Sequence, residues 1–452
     1  MYFQFAPQVV LKEGAPLLLD SPEAQFRWTQ STPSLRKLFS KFQQGVEEET
    51  VFAEEDNEEW LLFELFLKKF LSQALLSCSV HVDHSPFLTL FPLFPPLHIE
   101  RTVSLKGQPF QLSRFAWIRS EGEQMVLETP FAAIRLVIHT EQAACLLHAL
   151  IQPKTEEQLS THFPSLSSKT IREALSLLYS AKALSLCDEQ EDPILGQWEF
   201  HDLLFHSRTR RGRHSNPYGG LYPFKGKFPP LPCLKCVPAA TSIPLYSPEL
   251  SKIDPVDFTF VLENRKSIRS HGKNPLTAEQ LGEFLFRTVR IKELDLNGIC
   301  ETAKRPYPSG GALCEQEFYP LIRSCRGISP GLYHYHPQHH SLSKIKDPDA
   351  KTEQALQEAS LSTQTPQLPQ VLFLISSRFQ RRSWKYASVA YATSLKNLGA
   401  IYQTLYLVAT AMKLAPCAVG GGNADLFSNL IGSNYFEETS IGEFALGSSP
   451  EI

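Results

Sequence analysis

Pro306-Tyr-Pro-Ser-Gly-Gly-Ala312 is the stretch on which the reading of this chain turns. Paired glycines let a backbone approach a flat ligand closely. Upstream stands Asn264-Arg-Lys-Ser-Ile-Arg269, ahead of a helix start at Thr277-Ala-Glu-Gln280. Arg265, Lys266 and Arg269, with the Ser267 hydroxyl, combine charge with hydrogen-bond donors, as a phosphate cradle needs. The same cluster also arises as plain surface charge before a helix. Downstream, alternating residues predict strands over 317–323, 331–336 and 371–376. Between them, 341–369 reads as a polar excursion with a short helix. His334, His336, His339 and His340 suggest a metal cluster. The plainer reading is that His334 and His336 share a solvated strand face opposite Tyr333 and Tyr335.

Trp384-Lys-Tyr-Ala387 then opens a long apolar helical stretch reaching Met412. Lys396, Ser388, Thr393, Asn397, Gln403 and Thr404 interrupt it, so a buried helix at a subunit interface fits better than a membrane span. Ala418-Val-Gly-Gly-Gly-Asn423 ends it in a flexible turn that lacks the GK[ST] of a phosphate loop.

Working towards the N-terminus, residues 200–255 form a proline-rich connector without helical or strand period. It holds Pro217, Pro223, Pro229, Pro230, Pro232, Pro238, Pro244 and Pro248. Its aromatic content, Tyr218, Tyr222, Phe224 and Phe228, points to an ordered strap rather than a flexible linker. Arg208, Arg210, Arg211 and Arg213 near its start read as solvated or paired with acidic surface.

Before the strap the chain repeats itself. Leu19-Asp-Ser-Pro22 recurs as Leu127-Glu-Thr-Pro130, and Glu13-Gly14 as Glu121-Gly122, an offset of 108 residues. Leu38 and Phe42 map onto Leu146 and Leu150. Phe63, Phe66, Leu67 and Phe70 map onto Ile171, Ala174, Leu175 and Leu178. Each copy reads as short strands followed by helices. Residues 168–180 carry an amphipathic stripe, and Thr155-Glu-Glu-Gln158 is a capping-box helix start. A three-strand hairpin with three helices is a winged-helix pattern. DNA binding would need a basic recognition helix, but the first copy carries Glu47-Glu-Glu49, Glu54-Glu-Asp56, Glu58, Glu59 and Glu64. A peptide added as a strand to a wing edge, or a structural role, fits better. The organisation is therefore clamp-like units at 1–90 and 105–190, parted by the proline-rich stretch 86–96. A strap at 191–255 and a C-terminal domain at 256–452 follow.

Composition agrees. The chain has 452 residues, 42% hydrophobic and 20% charged, with a net charge of −3, which excludes a disordered chain and any global attraction to nucleic acid or anionic lipid. Nine cysteines is an odd number, and Cys233-Leu-Lys-Cys236 is half a zinc site without a second half. Free thiols in a reducing cytoplasm are expected, and the N-terminus lacks the features of a signal peptide.

These residues in this order resemble the flavin-dependent nitroreductase superfamily, and within it the SagB/McbC-type azoline dehydrogenases. The signals are R-x-S-x-R at 265–269, P-S-G-G-A at 308–312, G-L-Y-H-Y at 331–335, Lys385-Tyr386, G-A-x-x-Q at 399–403 and the glycines at 420–422. The strap motif F-H…R-x-x-R…G-G at 205–220 belongs to the same branch. The two winged helices ahead of it are similar to those of the cyanobactin thiazoline oxidases.

The resemblance implies an α+β fold around an antiparallel sheet, an obligate homodimer and FMN at its interface. Arg265, Lys266, Ser267 and Arg269 match the flavin-phosphate motif. Ser309, Gly310 and Gly311 match a loop near the flavin, and Gln403, Gly421 and Gly422 match weaker contact positions. Many relatives add a C-terminal basic residue at the phosphate. Here Phe444-Ala-Leu-Gly-Ser-Ser-Pro-Glu-Ile has none, so the cradle leans on the first motif. Lys385 and Tyr386 match the catalytic pair, although a lysine and tyrosine can also simply cap a helix start.

The implied reaction oxidises a thiazoline of a heterocyclised precursor peptide to a thiazole, with oxazolines as a second ring class. A base takes a proton from one ring carbon, the neighbouring carbon gives hydride to flavin N5, and molecular oxygen reoxidises the flavin. Lysine is a base at neutral pH only if its surroundings lower its usual pKa of about 10.4, as an apolar setting beside Trp384, Ala387 and Val389 would. The alternatives are an NAD(P)H-dependent nitroreductase, a non-catalytic peptide-binding flavoprotein and, least in keeping with the acidic first copy, a winged-helix regulator.

Overall fold

The computed structural model describes residues 1–450 except 13–16, 22–24, 29–31, 55–56, 97–98, 100–106, 188–191 and 237–241. The repeat landmarks Glu13-Gly14 and Pro22, and Glu55 and Asp56 of the second acidic run, lie outside the described residues. The chain falls into two compact units, Met1–Asn216 and Pro217–Ile452, so the strap divides at 216/217. Among the described residues no helix is long and apolar enough to cross a membrane.

In the first unit, one copy of the repeat runs β1 (Tyr2–Phe5), β2 (Val10–Lys12), β3 (Leu17–Asp20), β4 (Gln25–Trp28), α1 (Pro33–Gln44), β5 (Val46–Glu47), α2 (Glu48–Glu54), α3 (Asn57–Ser72), β6 (Leu76–Val82) and β7 (Ser85–Pro92). The other runs β8 (Phe110–Leu112), β9 (Trp117–Glu121), β10 (Gln124–Glu128), β11 (Ile134–Ile138), α4 (Glu141–Ala149), α5 (Glu156–His162), α6 (Ser168–Ser180) and β12 (Leu184–Leu186). The 108-residue offset reaches single atoms. Thr32 and Thr140 both cap a helix, their side chains accepting from the Leu35 and Ala143 amides. α2 and α5 begin and end 108 residues apart.

The copies differ in their strands. β2, β3 and β4 make a separate three-stranded sheet, whereas β9, β10 and β11 continue a seven-stranded one, ordered β5-β1-β6-β7-β11-β10-β9. The join is β7 against β11, with Leu136 opposite Leu90. The stretch 86–96, expected as a boundary, is therefore mostly strand. Pro86 is accommodated where the β6–β7 register shifts, and Pro92 ends its strand, the two places where a missing N–H costs least. The strap is also more regular than expected: α7 (Phe200–Arg208) opens it. Of its basic cluster, Arg210, Arg211 and Arg213 are exposed and Arg208 is half-buried. Arg208 bonds buried Glu128 at 2.8 Å, and Arg213 donates to the Pro130 and Phe131 carbonyls at 3.1 and 3.0 Å.

The second unit runs β13 (Ser242–Pro244), α8 (Phe258–Asn264), α9 (Ala278–Val289), β14 (Glu293–Asp295), β15 (Thr302–Lys304), β16 (Gln316–Ile322), β17 (Gly331–His336), β18 (Ser341–Lys346), α10 (Ala350–Ser362), β19 (Val371–Arg378), α11 (Phe379–Ser383), α12 (Ala390–Ala411), β20 (Leu414–Val419), α13 (Ala424–Ile431) and β21 (Glu438–Ser448). Its main sheet is antiparallel, ordered β13-β18-β17-β16-β19-β21-β20. The excursion at 341–369 therefore supplies a sheet strand, β18, as well as a helix. Alternation assigns its two faces. Phe318, Ile322, Phe373 and Phe444 pack with Phe284 of α9 and Leu398, Ile401 and Leu405 of α12. Tyr319, Leu321, Leu372 and Leu374 pack with Leu356 of α10 and Phe427 and Leu430 of α13. Helices cover both faces, an α+β arrangement.

That double cover corrects the histidine reading. His334 faces the second core, is 1% exposed and bonds Glu317 at 3.0 Å, so it is not solvated. Burial pushes the Glu317 carboxyl up, but the His334 hydrogen bond and the Arg378 charge outweigh it and hold it below the usual range. Among the described residues no group of three or more His, Cys, Asp or Glu is arranged to hold a metal.

Candidate active site

The Ser309-Gly310-Gly311 loop links β15 to β16 and is held by polar side chains from two helices. The Gly310 amide donates to Asn397 Oδ1 at 3.0 Å. Asn397 Nδ2 donates to Ser309 Oγ at 3.3 Å and to Glu315 Oε1 at 3.1 Å. Arg382, 1% exposed, pairs with Glu315, 0% exposed, through both carboxylate oxygens, and also donates to the Gly310 carbonyl. Ser394 adds a bond to Glu315 at 3.0 Å. A buried charge pair is tolerable only when its remaining atoms are satisfied, and here α12 and the loop satisfy them. The loop can then turn sharply: Gly311 has φ +65°, in the left-handed region that favours glycine.

Lys385 and Tyr386 lie between α11 and α12, ahead of the long helix rather than opening it. Trp384, 6% exposed, anchors them by donating to the Phe228 carbonyl at 2.8 Å. The strap runs beside them. Gly219 and Ala387 exchange backbone bonds at 3.2 and 2.9 Å, and the Tyr222 amide donates to the Lys385 carbonyl at 3.0 Å. Half-buried Lys385 reaches the Gly311 carbonyl at 3.5 Å. A Cβ on Gly311 would fall 2.5 Å from Tyr386 Oη and 2.7 Å from Lys385 Nζ; on Gly310 it would fall 2.6 Å from Thr393 Cγ2. Gly310 is thus required by crowding and Gly311 by its left-handed backbone, and the lysine amine and tyrosine hydroxyl converge on one point.

The R-x-S-x-R motif at 265–269 lies at the other end of α12. Ser267 Oγ and Tyr406 Oη are 2.7 Å apart, the Arg265 guanidinium sits 5.3 Å over the Tyr406 ring, and the Ile268 amide donates to Pro416 at 2.8 Å. Lys266 and Arg269 are exposed. Arg265, Lys266 and Arg269 form no salt bridge among the described residues, so three cations and a hydroxyl stand together with no carboxylate to neutralise them. That donor set fits a phosphate. Asn397 and Tyr406 are nine residues apart on α12, about 13 Å along its axis.

The remaining expected positions are less tightly tied in. Gln403 is exposed on α12. The Gly421 carbonyl accepts from Ser362 at 3.1 Å, and Gly422 lies so close to Glu443 that a Cβ would meet its carboxylate at 2.0 Å. Burial pushes the Glu443 carboxyl up, against the pull of the Ser440 hydroxyl. No hydrogen bond or ion pair among the described residues joins Gln403, Gly421 or Gly422 to the Lys385 cluster. Sequence reading missed Glu315, Arg382, Asn397, Tyr222 and Tyr406. The available signal was Arg381-Arg382, one residue ahead of Trp384, two cations entering an apolar stretch without a carboxylate nearby in sequence.

Comparison with known proteins follows these boundaries. Residues 262–447 match the nitroreductase family model, and residues 110–215 match that of the cyanobactin oxidase ThcOx. A Methanocaldococcus jannaschii protein described as a nitroreductase is 27% identical over 172 residues, 38% of this chain and 82% of that protein. The trifolitoxin-processing protein TfxB of Rhizobium leguminosarum bv. trifolii is 28% identical over 186 residues, 39% of this chain but only 49% of its own length. Among solved structures, a chain of the E. coli microcin synthetase McbBCD complex with truncated pro-MccB17 bound is 20% identical. It covers 50% of this chain and 90% of that one at a TM-score of 0.34.

Proposed function

We propose that this chain, an oxidoreductase of the nitroreductase superfamily and of its SagB/McbC type, converts thiazolines in a ribosomally made peptide to thiazoles with FMN as cofactor. Oxazolines would be its second ring class. The observation that carries the reading is the convergence of Lys385 Nζ and Tyr386 Oη on Gly311, beside a loop that only glycine can line.

Arg265, Lys266, Ser267 and Arg269 would hold the flavin phosphate, and Ser309, Gly310 and Gly311 would lie near its ring system, with Gln403, Gly421 and Gly422 at further contacts. Bound FMN would supply the two-electron acceptor that no side chain here provides. The protein's own part is positioning and proton transfer. Lys385 takes the proton from one ring carbon while the neighbouring carbon loses its hydrogen with the electron pair, leaving an aromatic ring. Tyr386 Oη orients the substrate ring beside that amine. Arg382 and Glu315 fix the loop against which the ring rests.

Molecular oxygen would regenerate the oxidant, and a cytoplasmic homodimer is the working state. The two repeats of the first unit act as winged-helix clamps for the heterocyclised precursor peptide, not for nucleic acid or membrane. The test is a purified chain that is yellow and whose flavin band bleaches anaerobically on addition of a thiazoline peptide. The family model at 262–447 favours one second reading, an NAD(P)H-dependent nitroreductase. Bleaching by NADPH and not by the peptide, with reduction of nitroaromatics, would establish that instead.

A further inference from the structure

We infer that Tyr222, a strap residue, is a positioning residue for Lys385 and sets where its amine stands. The inference rests on the proposed role of Lys385 as base, and it concerns the strap, which the reaction chemistry leaves without a task.

Pro217 to Tyr222 run antiparallel beside Lys385 to Ser388. Ser388 Oγ donates to the Pro217 carbonyl at 2.7 Å, Gly219 and Ala387 exchange two backbone bonds, and Tyr222 donates to the Lys385 carbonyl. Together these fix the backbone of the catalytic pair from outside α12. The side chain adds a second constraint. The Lys385 amine lies 5.7 Å from the centre of the Tyr222 ring and 5.6 Å from that of Tyr386. Both distances are within the reach of a cation–π contact. Gly311 closes a third side, its absent Cβ leaving the room the amine occupies.

Tyr222 is itself tightly determined. Its φ is +53°, a backbone state that a bulky residue rarely adopts unless its surroundings require it. Its ring packs edge-on to Trp384 at 5.7 Å between centroids. A lysine side chain has four flexible torsions and no rigid fork. Without the Tyr222 ring, the Lys385 amine keeps, among the described residues, its 3.5 Å contact to the Gly311 carbonyl and the Tyr386 face. A displacement of about 1 Å at a reacting group can cost on the order of a hundredfold in rate.

The test compares Tyr222→Leu, Tyr222→Phe and Lys385→Ala in the full chain, using a synthetic peptide bearing one thiazoline. Tyr222→Leu should lower kcat at least about tenfold with KM and the flavin spectrum unchanged, and Tyr222→Phe, which keeps the ring, should restore most of it. Tyr222→Leu added to Lys385→Ala should cost nothing further, because the two act as one unit. A separate readout uses reductive ¹³C-methylation of the lysines, with the Lys385 signal assigned by its loss in Lys385→Arg. That signal should carry a ring-current shift that Tyr222→Leu removes and Tyr222→Phe retains. If the shift is present but no peptide is oxidised, the reaction assigned above fails and the positioning stands. Wild-type turnover in Tyr222→Leu, equal losses in Tyr222→Leu and Tyr222→Phe, or a Lys385 signal indifferent to residue 222 would each overturn the inference.

Discussion

The two ends of α12 hold polar side chains in opposite ways. At its N-terminal end, Glu315, Arg382, Asn397 and Ser394 are buried and bonded to one another and to the Ser309–Gly311 loop. At its C-terminal end, Arg265, Lys266 and Arg269 are half-buried or exposed and have no carboxylate partner among the described residues. The first end spends its charges on internal order; the second leaves its charges open to the flavin phosphate proposed above. An organised loop at one end of a helix and an open cationic site at the other suit an enzyme in which a bound cofactor does the redox work and the protein places it.

The largest effect should come where the ordered end meets the chemistry. Lys385→Ala should leave the flavin bound and reduce turnover of a thiazoline peptide by about 10²-fold or more, the usual worth of a general base. Unchanged turnover would remove Lys385 from the mechanism. Next comes the support behind it. Glu315→Ala strands a buried guanidinium and should cost about 3–5 kcal/mol of stability, seen in denaturant unfolding. A loss below about 1 kcal/mol would mean that the pair is not buried in solution.

The third prediction concerns His271, which lines one small cavity with Arg269 and Cys417. Burial, and then the Arg323 charge, pull its pKa from 6.5 down to about 4. The folded state therefore binds the proton less readily than the unfolded chain. Stability from this group is complete above pH 6.5 and is lost as pH falls towards 4, by about 2 kcal/mol at pH 5. His271→Gln should flatten that part of the stability profile; an unchanged slope would place the acid sensitivity elsewhere. The smallest effects belong to the open end. Arg265→Ala and Arg269→Ala should each weaken FMN binding about tenfold by fluorescence titration, while the melting temperature of the flavin-free protein stays put. A fall in that temperature would show that these cations serve the fold.

Much of this was legible in the sequence because local chemistry carried it. The 108-residue repeat appears as matched caps, Thr32 and Thr140, and as one helical stripe used twice. The capping boxes at Thr155 and Thr277 are complete in the structure. What stayed hidden was long-range. Glu315 and Arg382 are 67 residues apart, and nothing in either segment's periodicity announces the pair. β18 reads as polar because it lies near the sheet edge beside the short β13. His334 was misread because alternation reveals two faces without saying that helices cover both. The strap's purpose was equally invisible, since Tyr222 meets Lys385 only through the fold.

The central claim is that the open cationic end holds a flavin so that the ordered end can oxidise an azoline. Incubating the purified chain aerobically with a thiazoline-containing peptide and weighing the product tests it most directly. The expected result is a loss of two hydrogens per ring, dependent on flavin and on Lys385. A flavin-loaded protein that leaves the peptide mass unchanged would contradict it.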